Sequence, residues 1–210
     1  FIAADNGYLF KTEDGGETWK PIEFENFSSN LNSIAFYNNT GVITTDRGGL
    51  IMTADGGKTW KLTYLNEARK KNRWISLNKA FLINEYSIWV VGDEGLIVNS
   101  TNGGYSWDNH RFMERNYLAV HFINGSTGFI GGERGTVLVT DDGGEKWTRV
   151  KVSTPRINEF RRLSQGRVAT GLSHRGVAAF LAAPRLAGPW VAGDVLQVPL
   201  RFWRDRLPLV

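Results

Sequence analysis

The carboxylates Asp46, Asp93 and Glu133 each stand two residues before a glycine, at one fixed place in a repeated stretch of this chain. Two carboxylates held across a cleft would be the equipment of glycoside hydrolysis. Their shared repeat position argues instead for turn chemistry, since Asp-x-Gly suits a tight hairpin. Asp5-Asn-Gly7 fills the same place in an earlier copy. His110, His121 and His174 show no metal-ligand spacing, and there is no cysteine. The expectation is therefore no metal and no cofactor. Nor does the chain contain a nucleophile elbow, a phosphate-binding loop or a histidine-centred triad.

The second candidate chemistry is charge. The stretch 66–73 carries Arg69, Lys70, Lys71 and Arg73 just before Trp74, the next inter-strand loop holds His110, Arg111 and Arg115, and the turns after Asp46 and Glu133 add Arg47 and Arg134. If one scaffold end gathers these loops, they form a face suited to an acidic protein surface or another anionic ligand. Arg47, Arg69, Lys70, Lys71, Arg73, Trp74, Arg111, Arg115 and Arg134 are the binding candidates.

The elements that must position them are repeats. Thr12-Glu-Asp-Gly-Gly-Glu-Thr-Trp19, Thr53-Ala-Asp-Gly-Gly-Lys-Thr-Trp60, Ser100-Thr-Asn-Gly-Gly-Tyr-Ser-Trp107 and Thr140-Asp-Asp-Gly-Gly-Glu-Lys-Trp147 are four versions of one motif, with tryptophans spaced 41, 47 and 40 residues apart. That period is one four-stranded unit. Each marker glycine (Gly7, Gly48, Gly95, Gly135) lies 12 residues before its tryptophan. Short β-prone runs such as Leu50-Ile-Met52 and Ile88-Trp-Val-Val91 lie between and before these turn signals. In the motif, Asp14, Asp55, Asn102 and Asp142 are expected to bond their own backbone two residues on, and the glycines to take positive φ. Trp19, Trp60, Trp107 and Trp147 are expected in the core, each costing about 3–5 kcal/mol on truncation.

These residues resemble the Asp-box, or BNR repeat, of sialidases and related β-propellers. The fuller unit, marker glycine included, is most similar to the photosystem II stability and assembly factor family and its non-photosynthetic bacterial relatives. The resemblance covers residues 1–151 and implies an all-β fold, a β-propeller of four-stranded antiparallel blades, present as a partial propeller with four clear repeats and room for a divergent fifth. It also implies a non-catalytic protein-interaction or assembly scaffold. A glycan-binding or glycan-hydrolysing propeller, sialidase- or xyloglucanase-like, is the alternative, although the sialidase Arg-Ile-Pro motif is not met at Arg156-Ile-Asn158. In each blade, marker turns and inter-blade loops are expected at one end and the boxes at the other.

Composition divides the chain. Residues 1–151 carry sixteen Lys and Arg against eighteen acids, whereas 152–210 carry nine arginines, no lysine and three acids. The tail reads as a divergent fifth blade, with Gly166–Thr170 and Val177–Leu181 as strands around His174-Arg-Gly176, or as a non-homologous segment; both readings stand. The body is too acidic for nucleic acid. No apolar run reaches the roughly 20 residues of a transmembrane helix. The expected partner is a protein or a glycan, with self-association through open propeller ends as a further expectation. An Asn- and Lys-rich repeat opening at Phe1 in mid-unit suggests a piece of a longer extracytoplasmic protein, whether secreted, periplasmic or on the cell surface. Asn38, Asn99 and Asn124 head Asn-x-Ser/Thr sequons.

Overall fold

The computed structural model describes residues 1–70, 73–150, 169–172 and 178–181. Lys71, Trp190 and most of the tail lie outside the described residues. Among the described residues the fold is all-β. The first blade holds β1 (Ile2–Ala3), β2 (Leu9–Lys11) and β3 (Lys20–Ile22). The second holds β4 (Leu31–Tyr37), β5 (Thr40–Thr45), β6 (Gly49–Thr53) and β7 (Lys61–Tyr64). A two-strand hairpin, β8 (Arg69–Lys70) with β9 (Arg73–Trp74), follows. The third blade holds β10 (Leu77–Leu82), β11 (Ile88–Gly92), β12 (Ile97–Ser100) and β13 (Asp108–Asn109). The fourth holds β14 (Tyr117–Phe122), β15 (Gly128–Gly132), β16 (Thr136–Thr140) and β17 (Thr148–Val150). Each blade is an antiparallel meander in sequence order, whose strands in a complete blade are A to D; β1–β3 take the places of B, C and D.

In the tail, β18 (Ala169–Leu172) pairs antiparallel with β19 (Ala178–Leu181) in the register Ala169↔Leu181. The sequence placed this first strand three residues earlier.

The core is not inside any one sheet. It is three layers between successive blades, because alternate residues of a strand face opposite sides. In β11, Ile88 and Val90 face the second blade, with Val42 and Leu50 in their layer, while Trp89 and Val91 face the fourth, with Ile130 and Leu138. A strand buried on both faces reads as a continuous hydrophobic run, as β11 does. The layer between the first and second blades gathers Leu9, Leu31, Ile43 and Ile51 with Phe1, Phe24 and Trp60 at its margin.

The two ends of the blades are distinct. Box turns meet the A–B turns: the amides of Gly56, Gly103 and Gly143 donate to the carbonyls of Asn39, Tyr86 and Ser126. Marker turns meet the inter-blade loops: Leu65 N–H donates to Gly48 O, and Gly95 N–H to Arg115 O.

Candidate functional site

Each box is a closed hydrogen-bond ring. Thr53 Oγ1 donates to Asp55 Oδ1 at 2.7 Å and accepts from Gly57 N–H at 2.9 Å, while Asp55 accepts from the Thr59 amide at 2.9 Å and the Thr59 hydroxyl at 2.6 Å. The carboxylate thus bonds the backbone four residues on, not two as the turn chemistry suggested; the hydroxyl two residues earlier closes the short span. The third box keeps the ring with an amide. Asn102 Oδ1 accepts from Ser100 Oγ and Ser106 N–H, and its Nδ2 donates to Ser106 Oγ at 2.8 Å. The fourth has Lys146 in the hydroxyl position, so residue 146 gives Asp142 only its amide, at 3.0 Å, while the Thr140 hydroxyl still donates to Asp142 at 2.8 Å and accepts from Gly144 N–H at 2.8 Å.

Bonds to the charged form hold the Asp14 and Asp55 carboxyls well below their ordinary 3.8, the Thr18 and Thr59 hydroxyls being the largest cause, and Asp142 is lowered chiefly by the Lys146 amide. A carboxylate with a depressed folded-state pKa stabilises the fold above its unfolded-state value and loses that contribution as pH falls through the folded-state value. The thermal midpoint should therefore hold at neutral pH and fall below about pH 4, and Asp55→Asn should flatten the part of that fall due to the second box. A pH series of melting curves checks this.

The box tryptophans reach back to the preceding blade, and this corrects their assignment to a uniform core. Trp147 is 7% exposed and meets Trp89 and Phe122 edge-on at 5.7 and 5.9 Å. Trp60 is half-buried against Phe1, Phe24 and Phe36, and Trp107 half-buried against the layer between the second and third blades. Trp19, in the first blade, has no preceding blade beside it among the described residues and is 39% exposed. The indole N–H groups of Trp60 and Trp147 are buried without an acceptor among the described residues.

At the opposite end, the three carboxylates are held by asparagines that sequence reasoning missed. Asn32 and Asn78 are the extra residues of β-bulges in β4 and β10, where the register slips between Leu31 and Ser33 and between Leu77 and Lys79. A bulge re-aims its side chain. Asn32 Nδ2 donates to Asp46 Oδ1 and to Leu77 O, both at 2.9 Å. Asn78 Nδ2 repeats this with Asp93 Oδ1 and Tyr117 O, both at 2.8 Å. Asn116 accepts from Glu94 N–H and donates to Glu133, as Asn30 does with Asn6 N–H and Asp46. Each carboxylate is thus fastened in its own blade, and the latch on Asp46 and Asp93 reaches on to strand A of the next. Burial raises the Asp93 carboxyl, with Glu133, Asp46 and Glu94 adding repulsion. The visible signal was the asparagines flanking or following the first residue of strand A.

The basic candidates divide. Arg47 and Arg134 are exposed at the tips of the marker turns, at φ 59° and 54°, and have no ion pair among the described residues. Arg69 is exposed with its guanidinium 5.8 Å over the Trp74 ring. Arg73 pairs with Glu94, and Arg111 donates to the carbonyls of Glu94 and Glu67, so both fasten loops rather than stand free. Trp74 is half-buried, packed against the Gly48 turn beside Tyr64, and its ring also carries Arg69. Arg115 is half-buried and its carbonyl holds Gly95. For Lys70 the backbone lies in β8. Glu67, Glu94 and Glu114 are interleaved among these cations, so the face is mixed in charge rather than basic.

Among the described residues no cluster of three or more His, Asp or Glu could hold a metal ion, and no helix is long and apolar enough to cross a membrane. An open cleft of about 540 Å³ lies between Asn109–Phe112 and Glu145–Trp147.

Four-stranded meanders, box rings and inter-blade layers together define a β-propeller of the Asp-box class. The family described as photosynthesis system II assembly factor YCF48 matches residues 1–73 and 69–159, and the chain belongs to that family. The photosystem II assembly protein Ycf48 of Synechococcus sp. (strain JA-3-3Ab) is 35% identical over 65 residues, 30% of this chain and 19% of that protein. The chain's match therefore spans about a fifth of that relative's length. The solved YCF48 from Cyanidioschyzon merolae has a TM-score of 0.52 at 21% identity, covering 68% of this chain and 46% of that one, and shares the fold. A structure described as YCF48 bound to D1 peptide has a TM-score of 0.46 at 15% identity, covering 70% of this chain and 75% of that one.

Proposed function

We propose that these blades are a non-catalytic, protein-binding part of an extracytoplasmic assembly factor, and that the partner lies on the end formed by marker turns and inter-blade loops. Family membership supports the assembly role. The observation that carries the choice of surface is the division among the arginines: Arg47, Arg69 and Arg134 remain exposed and unpaired by carboxylates among the described residues, while Arg111 fastens the loop beside Arg69 through Glu67 O and Arg73 is spent on Glu94. Pre-ordered cations suit a polypeptide bearing carboxylates, and Arg69 on Trp74 adds a flat amphipathic contact. Asp46, Asp93 and Glu133 act here as turn and latch groups, not as acid and base.

The test is calorimetric titration with a synthetic D1 peptide. Arg47→Ala with Arg134→Ala should weaken binding about tenfold, about 1.4 kcal/mol, and reduce its salt dependence. Unchanged affinity and unchanged salt dependence would sink this surface assignment.

A further inference from the structure

The chain has three Asn-Gly dipeptides, Asn6-Gly7, Asn102-Gly103 and Asn124-Gly125, and the fold treats them differently. Asn6 sits at φ 58° with its backbone N–H donating to Asn30 Oδ1 at 3.1 Å, and Gly7 is buried against Phe27. Asn102 is tied at both ends of its amide, and the Gly103 N–H is committed to Tyr86 O at 2.9 Å. Asn124 is exposed in the A–B turn of the fourth blade. Its Oδ1 accepts from Ser126 N–H, Ser126 Oγ and Thr127 N–H at 2.9, 2.9 and 2.7 Å. Neither its Nδ2 nor the Gly125 N–H has a partner among the described residues, and nothing crowds Gly125 within 4 Å.

We propose that Asn124 is a self-modification site that converts to aspartate and isoaspartate, while the fold protects Asn6 and Asn102. Hydroxide removes the Gly125 amide proton, and that nitrogen attacks Asn124 Cγ. Charge develops on Oδ1, where three donors already converge, the arrangement that stabilises an oxyanion. The Cγ–Nδ2 bond breaks, Nδ2 takes a proton from water, and ammonia leaves from the exposed side. One water then opens the succinimide at either carbonyl, so the balance is one water consumed and one ammonia released. The product places a negative charge on the box end. Its β-linked form also lengthens the main chain beside Ser126, whose carbonyl holds Gly143 of the fourth box at 2.7 Å.

The experiment incubates the folded chain and a urea-unfolded sample at mildly alkaline pH. Peptide mass spectrometry follows each dipeptide, with enzymatic isoaspartyl methylation as a second readout. In the folded chain Asn124 should gain mass at a rate near its unfolded rate, while Asn6 and Asn102 lag far behind theirs. Gly125→Ala should slow the change about tenfold, about 1.4 kcal/mol in the barrier. Ser126→Ala, which removes one donor to Oδ1, should slow it less. Equal protection of all three sites, or a rate at Asn124 that Ser126→Ala does not lower, would overturn the proposal.

Discussion

Replacing Trp147 by alanine lowers the unfolding free energy by about 3–5 kcal/mol, the range for deleting a buried aromatic side chain. The reason is its neighbours. The indole is 7% exposed, and Trp89 of the third blade and Phe122 of its own blade both meet it edge-on, so truncation opens a cavity in the layer between two blades. The same change at Trp19 should cost about 1 kcal/mol or less, because a side chain already 39% exposed gives up little burial. Urea denaturation of the two variants measures the contrast. Equal losses would mean that the tryptophans act within their own blades rather than across the boundary.

The second large effect is expected at Gly144. A box supplies two glycines at positive φ, yet the two differ in what surrounds them. A Cβ at the first of each pair would find room: at Gly15 it would meet nothing within 4 Å, and at Gly143 only Gly125 O, at 3.1 Å. Onto the second, a side chain of the preceding blade is packed: Phe1 on Gly57, Met52 on Gly104 and Trp89 on Gly144. Gly144→Ala must therefore displace the Trp89 ring, at about 1–3 kcal/mol for overpacking. It must also hold alanine at φ 95°, at about 1–2 kcal/mol more. Gly15→Ala carries only the conformational part. Thermal unfolding of both variants should rank them in that order, and a Gly144→Ala protein as stable as Gly15→Ala would contradict the packing role.

The sequence disclosed the fold well because its information is periodic and local. The fixed offset from marker glycine to box tryptophan specifies a blade, and the runs Leu50–Met52 and Ile88–Val91 fall inside β6 and β11. What lay hidden is contact between blades. Two adjacent glycines in a box look alike in sequence, and only the neighbour's ring distinguishes Gly144 from Gly143. Trp19 and Trp147 share a motif position, but burial depends on whether another blade stands behind the indole. The site was legible as loops and charges only. That Arg73 is paired while Arg47 is free follows from Glu94, distant in sequence from both, and no spacing rule connects Asn78 to Asp93 and Tyr117. The bulges that aim those asparagines arise from strand pairing across a turn, beyond the reach of a residue-by-residue reading.

The most direct test of the proposed partner surface is an amide hydrogen-exchange footprint, on the full chain, of the peptide used in the titration proposed above. Protection is predicted at the marker turns 46–48 and 133–135 and at the loop 66–70, with the box turns 54–59, 101–106 and 141–146 unchanged. Protection confined to the box turns, with the marker turns exchanging as before, would place the partner on the opposite end and contradict the account.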